Sequence, residues 1–592
     1  MSPESAHPLY ESSQEWVASE WLSHLLADSS LAEEAVVVGN EMLVSESSER
    51  LWLMVLGLAY FYLERFDSAY KTMSRVSVAQ TKDVDFLVLF GMVARKLPES
   101  RCQALFAYRR AIELQPYRSD VHYNLANLLI DDAPQDALFH YRMALVKGVD
   151  EAHVWHNYGR LQNDLGSSNE ALAAFRISLR LNPSNPDVWC NLGIALLTLG
   201  RFKPAEACFV HAVGFEVCHT NDFIHTNQSL INKFDPEKAL QLLLRGARLE
   251  KCTANAVWNL GLLWLLIGKF IDGWRYYEAR FHTSSHEAII PPTAGPRVYN
   301  LSDLPGPDGP ELVVWTEQGL GDGIQFCRYL SLLSFRSIRF RLLLSSEHKP
   351  LLPLYSAWLG LGDRVSETLE TEGAQDMRPH IPLLSLPLLF GTELHTIPAI
   401  TPYLMSPSST PDHLRVSEPP GGLAVGIAWA SNPTNKKLYR NKTIDPHKLL
   451  PSLIDLIDLD LIQLHSLQIG SDANGLEPWL ENERIYDWNG LLKDFSDTAH
   501  VIQQLDLVIS VDTAVAHLAA ALHKPTWVLL PFNCDFRWLN SGSYNPWYPS
   551  VRLFRQSSIG DWYSVTEKVR AAFAELCLLD LNALKENVWV AS

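Results

Sequence analysis

The feature that most constrains the fold of this chain is an internal repeat of 34 residues. Trp155, Gly159, Ala171, Phe175 and Ser178 recur 34 positions later as Trp189, Gly193, Ala205, Phe209 and Ala212. Large and small residues at this spacing are typical of two helices joined by a turn, because the small residues let the helices approach closely. One such unit cannot bury its apolar face alone, so the pattern predicts a stack of units.

The period continues outside these two units. Matching residues occur at Leu125, Ala137, Tyr141 and Ala144, at Gly91, Ala104, Tyr108, Ala111 and Pro116, and more loosely at Gly57, Tyr60, Ala69 and Met73. One further unit covers Trp258–Arg280, with Gly261, Gly273 and Tyr277, and Cys218–Lys251 is similar to a degenerate unit. The array resembles the tetratricopeptide repeat, whose groove usually binds an extended segment of another protein.

Composition narrows the class of protein. A chain of 592 residues with 47% hydrophobic and 20% charged residues is expected to form several folded domains. The net charge of −18 argues against nucleic acid as a partner, because binding phosphates requires a basic face. No apolar run is long enough to span a membrane, and the polar N-terminus is not a secretory signal. Eight scattered cysteines without a Cys-x-x-Cys pair favour reduced thiols in a cytoplasm.

From Glu311 onwards, short apolar strands alternate with helices, which predicts a parallel sheet. The run Leu312–Trp315 leads into a loop, and a helix pattern follows from Ile324. The loop carries three glycines and two carboxylates, namely Gly319, Gly321, Gly323, Glu317 and Asp322. Such a loop can present backbone N–H groups to an anion, and its carboxylates lie where substrates usually bind.

A Pro-rich stretch, Pro398–Gly422, divides the α/β region, and the strand Leu423–Trp429 begins its second half. This half contains a strand at Leu507–Val511, a turn, a helix at Ala514–Leu522 and a strand at Thr526–Leu530. Thr513 can cap the helix, and His517 follows one turn later. A strand end that meets a helix N-terminus is suited to phosphate, which favours a ligand contact for His517 over the alternative of a core histidine.

The loop EQGLGDGIQFCRYL and the run SVDTAVAHLAAALHKPTWVLLPF resemble the glycosyltransferase family 9 (heptosyltransferase-like) domain of bacterial tetratricopeptide-repeat proteins. Four other segments agree in order and spacing, namely DGWRYYEARF, GIAWASNP, SLQIG and NPWYPSVRLFRQ. The resemblance covers roughly Asp272 to Glu575. The layout is also similar to that of the protein O-linked N-acetylglucosamine transferases, which join a repeat array to a two-lobed transferase.

The resemblance implies a GT-B fold, in which the C-terminal lobe binds a nucleotide-sugar donor and the N-terminal lobe binds an acceptor. It implies no cofactor and no metal. Asp322 corresponds to the general base of the heptosyltransferases, and Glu317 is the second candidate for a catalytic carboxylate. The predicted donor-binding residues are Gly319, Gly321, Gly323, Gln468, Asp512, Thr513, Ala514 and His517, together with Lys437, Arg440 and Lys442 as alternatives for the diphosphate.

We therefore predict a multidomain chain in which an all-α tetratricopeptide-repeat solenoid precedes a GT-B-type pair of Rossmann-like α/β domains. The predicted boundaries are an N-terminal helical segment at 1–50, the solenoid at 51–283, a linker at 284–310, the acceptor lobe at 311–415 and the donor lobe at 420–592.

The predicted function is cytoplasmic transfer of a sugar to an acceptor, a polypeptide in the repeat groove. Whether the sugar is a hexose, a heptose or an N-acetylhexosamine is left open. One alternative is a repeat scaffold whose transferase-like half does not turn over, and another is a saccharide acceptor in surface-polysaccharide assembly. At the residue level, Asp322 could merely offset a helix dipole, and Glu317 could bond loop amides. We expect Trp538, Trp547 and Tyr548 to serve packing.

Overall fold

The computed structural model of the protein describes residues 7–43, 49–146, 151–219, 251–283, 292–367, 376–404, 409–417, 422–433, 436–459 and 461–577. The chain divides into two compact units, Met1–Asn191 and Leu192–Ser592. The architecture is a helical repeat array followed by two parallel-sheet α/β lobes, as a GT-B fold requires. The predicted degenerate repeat at Cys218–Lys251 lies almost entirely outside the described residues.

The first unit is built from helices that follow one another as antiparallel pairs. The helices are His7–Ala27, Ala32–Met42, Glu49–Tyr62, Phe66–Met73, Val84–Ala94, Arg101–Leu114, Ser119–Leu129, Pro134–Leu145, Ala152–Asp164 and Ser168–Leu181. The next helix, Pro186–Thr198, crosses the boundary between the two units.

Large residues of one helix pack against small residues of the preceding helix, as the repeat predicts. A Cβ added to Gly159 would lie 2.8 Å from the Phe175 ring, and one added to Gly91 would lie 2.5 Å from the Tyr108 ring. Phe175 and Tyr108 are fully buried. The helix pairs therefore pack at a distance that only glycine permits.

The second unit begins with further helical pairs, Phe202–His219, Lys251–Leu266 and Phe270–Tyr277. Gly261 confirms the predicted unit in this region, because an added Cβ would meet the Tyr277 backbone nitrogen at 2.7 Å. The described helices of the chain include none with the length and apolar character needed to cross a bilayer.

The first lobe contains a four-stranded parallel sheet in the order β3-β2-β1-β4. Its strands are β1 (Leu312–Trp315), β2 (Phe340–Leu343), β3 (Val365–Ser366) and β4 (His380–Pro382). Its helices are Leu320–Phe326, Leu330–Phe335 and Leu386–Leu389. The described part of the predicted linker runs beside β4, where the Val298 N–H donates to the His380 carbonyl at 2.9 Å.

The second lobe contains a six-stranded parallel sheet in the order β10-β9-β8-β5-β6-β7. Its strands are β5 (Leu423–Ala428), β6 (Ile462–Ser466), β7 (Ile485–Asp487), β8 (Leu507–Val511), β9 (Thr526–Leu530) and β10 (Val551–Arg555). Counted within the lobe, this is the order 3-2-1-4-5-6 of a Rossmann fold. Its helices are Lys436–Lys442, Pro446–Leu449, Pro451–Asp458, Phe495–Gln504, Ala514–Ala521 and Trp562–Cys577.

Both faces of the second sheet are covered, so its strands are apolar on both sides. Leu423, Val425 and Ile427 point into one core, with Trp527 and Phe573. Side chains of the opposite face, such as those of Val508 and Val528, join a core that also contains Val314 and Phe326 of the first lobe. The two lobes therefore share one apolar core.

Candidate active site

Each sheet reverses its strand order at one point, and the predicted site residues lie beside these two points. In the second sheet, β5 leads into Trp429–Ala430 and the adjacent β8 leads into Asp512. In the first sheet, β1 leads into Thr316–Glu317 and the adjacent β4 leads into Leu383–Ser385. Open α/β sheets usually bind ligands at such places.

A buried ion pair joins Lys442 to Asp512. Lys442 Nζ lies 2.6 Å from Asp512 Oδ2, and both side chains are largely shielded from solvent. Burial works against the charged ammonium group, yet the nearby Asp512 carboxylate raises the pKa of Lys442 above its ordinary value. Burial likewise works against the carboxylate, but Lys442 keeps the pKa of Asp512 below its ordinary value. The pair is therefore a fixed cation and anion at the carboxyl end of β8.

Lys442, one of the three basic alternatives for the diphosphate, contacts the Asp512 strand end. The basic stretch forms the helix Lys436–Lys442. Arg440 is exposed on this helix, and the side chain of Lys437 lies outside the described part of the chain.

His517 is a neutral, buried imidazole. Burial lowers its pKa to about 3, although Asp512 acts in the opposite direction. Its Nδ1 lies 3.0 Å from the Tyr548 hydroxyl oxygen, and its Nε2 lies 3.9 Å from Asp512 Oδ1. Its ring stacks on Trp538 with centroids 5.0 Å apart. His517 can therefore offer a ligand a hydrogen bond but no charge.

Thr513 occupies the N-cap position of the Ala514–Ala521 helix, but its side chain makes no capping bond to the helix. The Thr513 hydroxyl instead lies 3.0 Å from the Ser510 hydroxyl. The first N–H groups of this helix therefore have no side-chain cap, and they remain suited to an anion.

Gln468 stabilises the neighbouring strand end. Its Oε1 accepts hydrogen bonds from the backbone N–H groups of Trp429 and Ala430, at 3.2 and 2.9 Å. Two amides that follow β5 are thus satisfied by one side chain that follows β6. This contact fixes the loop between β5 and the Lys436–Lys442 helix.

Asp322 connects the two lobes. Its Oδ2 accepts the Gly319 N–H at 3.0 Å, which caps the Leu320–Phe326 helix. Its Oδ1 accepts a hydrogen bond from Arg537 Nη2 in the second lobe. Arg537 Nη1 also lies 2.5 Å from Asp535 Oδ1. The predicted base is therefore bonded to a cation of the second lobe.

The loop glycines permit close packing around this connection. A Cβ added to Gly321 would lie 2.9 Å from His517 Cδ2 and 3.7 Å from the Ala514 Cα. A Cβ added to Gly323 would lie 2.9 Å from the Tyr355 hydroxyl. The structure thus brings Gly321 against two of the predicted donor-binding residues, while Gly323 faces the first lobe.

Glu317 lies in a separate buried network. Arg280 donates to it, with Nη2 2.8 Å from Glu317 Oε1, and also to Glu278, with Nη1 2.6 Å from Oε1. Ser385 bonds to both Arg280 and Glu278, at 2.9 and 2.8 Å. Burial raises the pKa of Glu317 to about 7 despite the neighbouring Arg280. Its Oε2 is buried and has no hydrogen-bond partner among the described residues.

Tyr277 lies between the two carboxylate networks. Its hydroxyl donates to Gln318 Oε1 at 2.9 Å, and its ring is 4.6 Å from the Arg280 guanidinium carbon. Burial raises the pKa of Tyr277 above its ordinary value, and the charges of both Asp322 and Glu317 act on it in the same direction. The predicted catalytic carboxylates are therefore neighbours, but each has its own arginine.

Sequence reasoning missed both arginines. Arg280 stands in the segment DGWRYYEARF. This segment agrees with the resembled family, but none of its residues was predicted to belong to the site. Arg537 follows β9, the parallel neighbour of β8, so its segment emerges at the same edge of the sheet as Asp512. The adjacency of β8 and β9 was the signal from which Arg537 could have been predicted. Recognising this adjacency requires the strand order of the sheet, and no single sequence motif gives that order.

The expectation for the aromatic residues is confirmed. Trp538, Trp547 and Tyr548 are buried. Arg328 of the first lobe donates to the Trp547 carbonyl at 2.6 Å, and its guanidinium carbon lies 4.4 Å from the Tyr548 ring centroid. These aromatic residues therefore pack between the lobes. Across the described residues, no group of three His, Cys, Asp or Glu side chains is arranged to hold a metal ion.

Family comparisons match two parts of the chain. Residues 159–200 match "TPR repeat", residues 186–216 match "Tetratricopeptide repeat", and residues 493–530 match "Glycosyltransferase family 9 (heptosyltransferase)". The last range contains β8, Asp512, Thr513, Ala514 and His517.

The individual proteins that this chain resembles have low sequence identity to it. Protein FlbA of Caulobacter vibrioides is 24% identical over 82% of this chain and 83% of its own length. Mouse protein O-mannosyl-transferase TMTC3 is 26% identical over 37% of this chain, which spans 26% of that protein. Among solved structures, MamA matches 30% of this chain and 98% of its own, with 17% identity and a TM-score of 0.27.

The repeat matches agree with the stacked helical pairs, and the transferase match falls on the strand end that leads into Asp512. The chain contains tetratricopeptide repeats, and its residues 493–530 match glycosyltransferase family 9.

Proposed function

We propose that the protein is a glycosyltransferase that transfers a sugar from a nucleotide-sugar donor to a polypeptide held by the repeat array. The observation that carries this proposal is the meeting of Asp322 and Arg537. It places a carboxylate from the first lobe beside the cation cluster at the donor edge of the second. A transferase needs these two groups together, because it must remove an acceptor proton and stabilise a leaving diphosphate.

The donor would bind at the carboxyl end of β8. There, the uncapped first turn of the Ala514–Ala521 helix offers N–H groups to the diphosphate, and Lys442 offers positive charge. We propose that transfer needs no bound metal, because these groups supply the charge stabilisation that a divalent cation would otherwise bring.

The chemistry would be a direct displacement. The acceptor heteroatom bonds to the anomeric carbon and passes its proton to the Asp322 carboxylate. The bond from the anomeric carbon to the phosphate oxygen breaks, and its electron pair leaves with the nucleoside diphosphate. The proton acceptor must lie within hydrogen-bond reach of the acceptor.

Two further points support the finer parts of the proposal. A relative is named as a protein O-mannosyl-transferase, which agrees with a polypeptide acceptor. Cys102, Cys327 and Cys534 carry free thiols, which agrees with a cytoplasmic location.

The experiment that tests the proposal is a panel of nucleotide sugars, each offered to the purified protein with radiolabelled sugar and a digest of cellular protein. We expect one donor to release its nucleoside diphosphate and label to enter peptides. Label in saccharide instead would favour the polysaccharide alternative. If no donor is consumed, the protein is a scaffold whose transferase-like half does not turn over.

A further inference from the structure

Arg537 is a buried cation that sequence analysis did not assign to the site. Its side chain is 9% exposed, and its guanidinium donates to Asp322 and Asp535. Its Nε is also buried, with no hydrogen-bond partner in the described part of the chain. One edge of this guanidinium therefore has hydrogen-bonding capacity that the present contacts leave unused.

The position of Arg537 is fixed from its own lobe. Asp535 accepts the Arg537 backbone N–H at 3.1 Å, and Asn545 Nδ2 donates to the Arg537 carbonyl at 2.7 Å. The guanidinium carbon lies 4.3 Å from the Phe536 ring centroid. Because these contacts are all local, the side chain does not depend on Asp322 for its placement.

The site around Arg537 has an excess of negative charge. Arg537 and Lys442 are the cations, and Asp322, Asp512 and Asp535 are the carboxylates. Withdrawal of one carboxylate would make this site more favourable for a diphosphate. Asp512 and Asp535 belong to the second lobe itself, whereas Asp322 comes from the other lobe and reaches the site through its contact with the guanidinium.

We propose that Arg537 binds the donor diphosphate, and that Asp322 occupies Arg537 until the donor arrives. This rests on the proposed glycosyltransferase function. Planar guanidinium groups bind phosphate oxygens in pairs, so a diphosphate is a natural replacement for one carboxylate.

The exchange would link donor binding to catalysis. Before it, both oxygens of Asp322 are engaged, one by the Gly319 N–H and the other by Arg537. After it, Oδ1 is released and can accept the acceptor's proton as the bond to the anomeric carbon forms. The carboxylate thus becomes a base only when a donor is in place, which makes donor binding precede productive acceptor binding.

Pyrophosphate is the probe for this exchange, measured by titration calorimetry on the full chain at low salt. Asp322→Asn keeps an oxygen for the Gly319 N–H, so the helix cap is retained, but it removes the competing charge. We expect Asp322→Asn to bind pyrophosphate about fivefold more tightly than wild type. We expect Arg537→Gln to bind it at least about tenfold more weakly, and Arg537→Lys to lie in between.

Asp308→Asn is the matched control, because Asp308 is an exposed carboxylate that lies shortly before β1. It should leave the affinity unchanged. If Asp322→Asn binds pyrophosphate no more tightly than this control, Asp322 does not compete for Arg537 and the inference is wrong. If wild type binds neither pyrophosphate nor any nucleotide sugar, the proposed function itself fails.

Discussion

Asp322 shows how much of the candidate site can be predicted from the sequence around a single residue. Its place in a glycine loop after a strand predicted a carboxylate at the carboxyl end of that strand, and in the structure Asp322 contacts Arg537 of the second lobe. Its partner Arg537 stands 215 residues away, and no local pattern pairs the two. The same limit applies to Lys442. The sequence left three cations open, and only the fold shows that Lys442 reaches Asp512.

The first prediction concerns Asp322 as the base. Asp322→Asn keeps the side-chain shape and removes its basicity, so we expect turnover to fall by roughly two to four orders of magnitude. Single-turnover kinetics with saturating donor measure this directly. Asp308→Asn, which removes an equal charge from the surface, should retain full activity. Near wild-type turnover in Asp322→Asn would remove Asp322 from the chemistry, and a larger loss in Glu317→Gln would assign the role to Glu317.

The second prediction concerns the pH dependence that buried Glu317 imparts. Its pKa is raised from 4.5 to about 7 in the fold, so the folded state holds this proton more tightly than the unfolded state. The unfolding free energy of wild type should therefore fall as pH rises from about 4.5 to 7, by up to about 1.4 kcal/mol per pH unit from this group.

Glu317→Gln lacks this titration. Relative to wild type it should gain stability between pH 5 and pH 8, by about 2–3 kcal/mol in total. Urea unfolding at both pH values measures the difference. Parallel pH dependences in the two proteins would show that Glu317 does not carry a raised pKa.

The bounds of helices and strands were predicted most accurately where burial alone determines the sequence pattern. The strands Leu507–Val511 and Thr526–Leu530 were predicted at their observed bounds, because strands buried on both faces appear as continuous apolar runs. The helix after β1 was predicted from Ile324 but begins at Leu320. Two glycines disfavour helix in a sequence, yet here Asp322 caps the first turn, and the glycines face His517 and Tyr355.

The third prediction tests this packing. Gly321→Ala places a methyl group 2.9 Å from His517 Cδ2, so the two helices must shift apart. We expect a loss of about 1–3 kcal/mol in unfolding free energy, together with weaker donor binding. Gly306→Ala is the matched control, because nothing lies within 4 Å of its added Cβ. Denaturant unfolding of both variants makes the comparison, and equal stability would mean that the contact relaxes at no cost.

The sequence contains two kinds of pattern, and they differ in how much of the structure they predict. The 34-residue repeat is periodic, so one unit predicts the next and the helical pairs follow from it. The α/β lobes carry no such period. Their strands could be found singly, but the order 3-2-1-4-5-6 had to come from the structure. That order is what brings β5 and β8 together and places Arg537 at the same edge as Asp512.

The last prediction concerns the repeat array as the part that selects the acceptor. Removing residues 1–118 deletes the helices up to Arg101–Leu114 and leaves the pair that begins at Ser119 as the new first unit. Repeat arrays are stabilised by neighbouring units, so the remaining pairs should stay folded. The predicted donor-binding residues all lie beyond residue 318, hence donor hydrolysis by the truncated protein should match that of the full chain. Label transfer to peptides should be lost, because an extended polypeptide would have fewer units to bind along the groove. Transfer at the full rate would show that these repeats do not present the acceptor, and would leave the transferase lobes to select it.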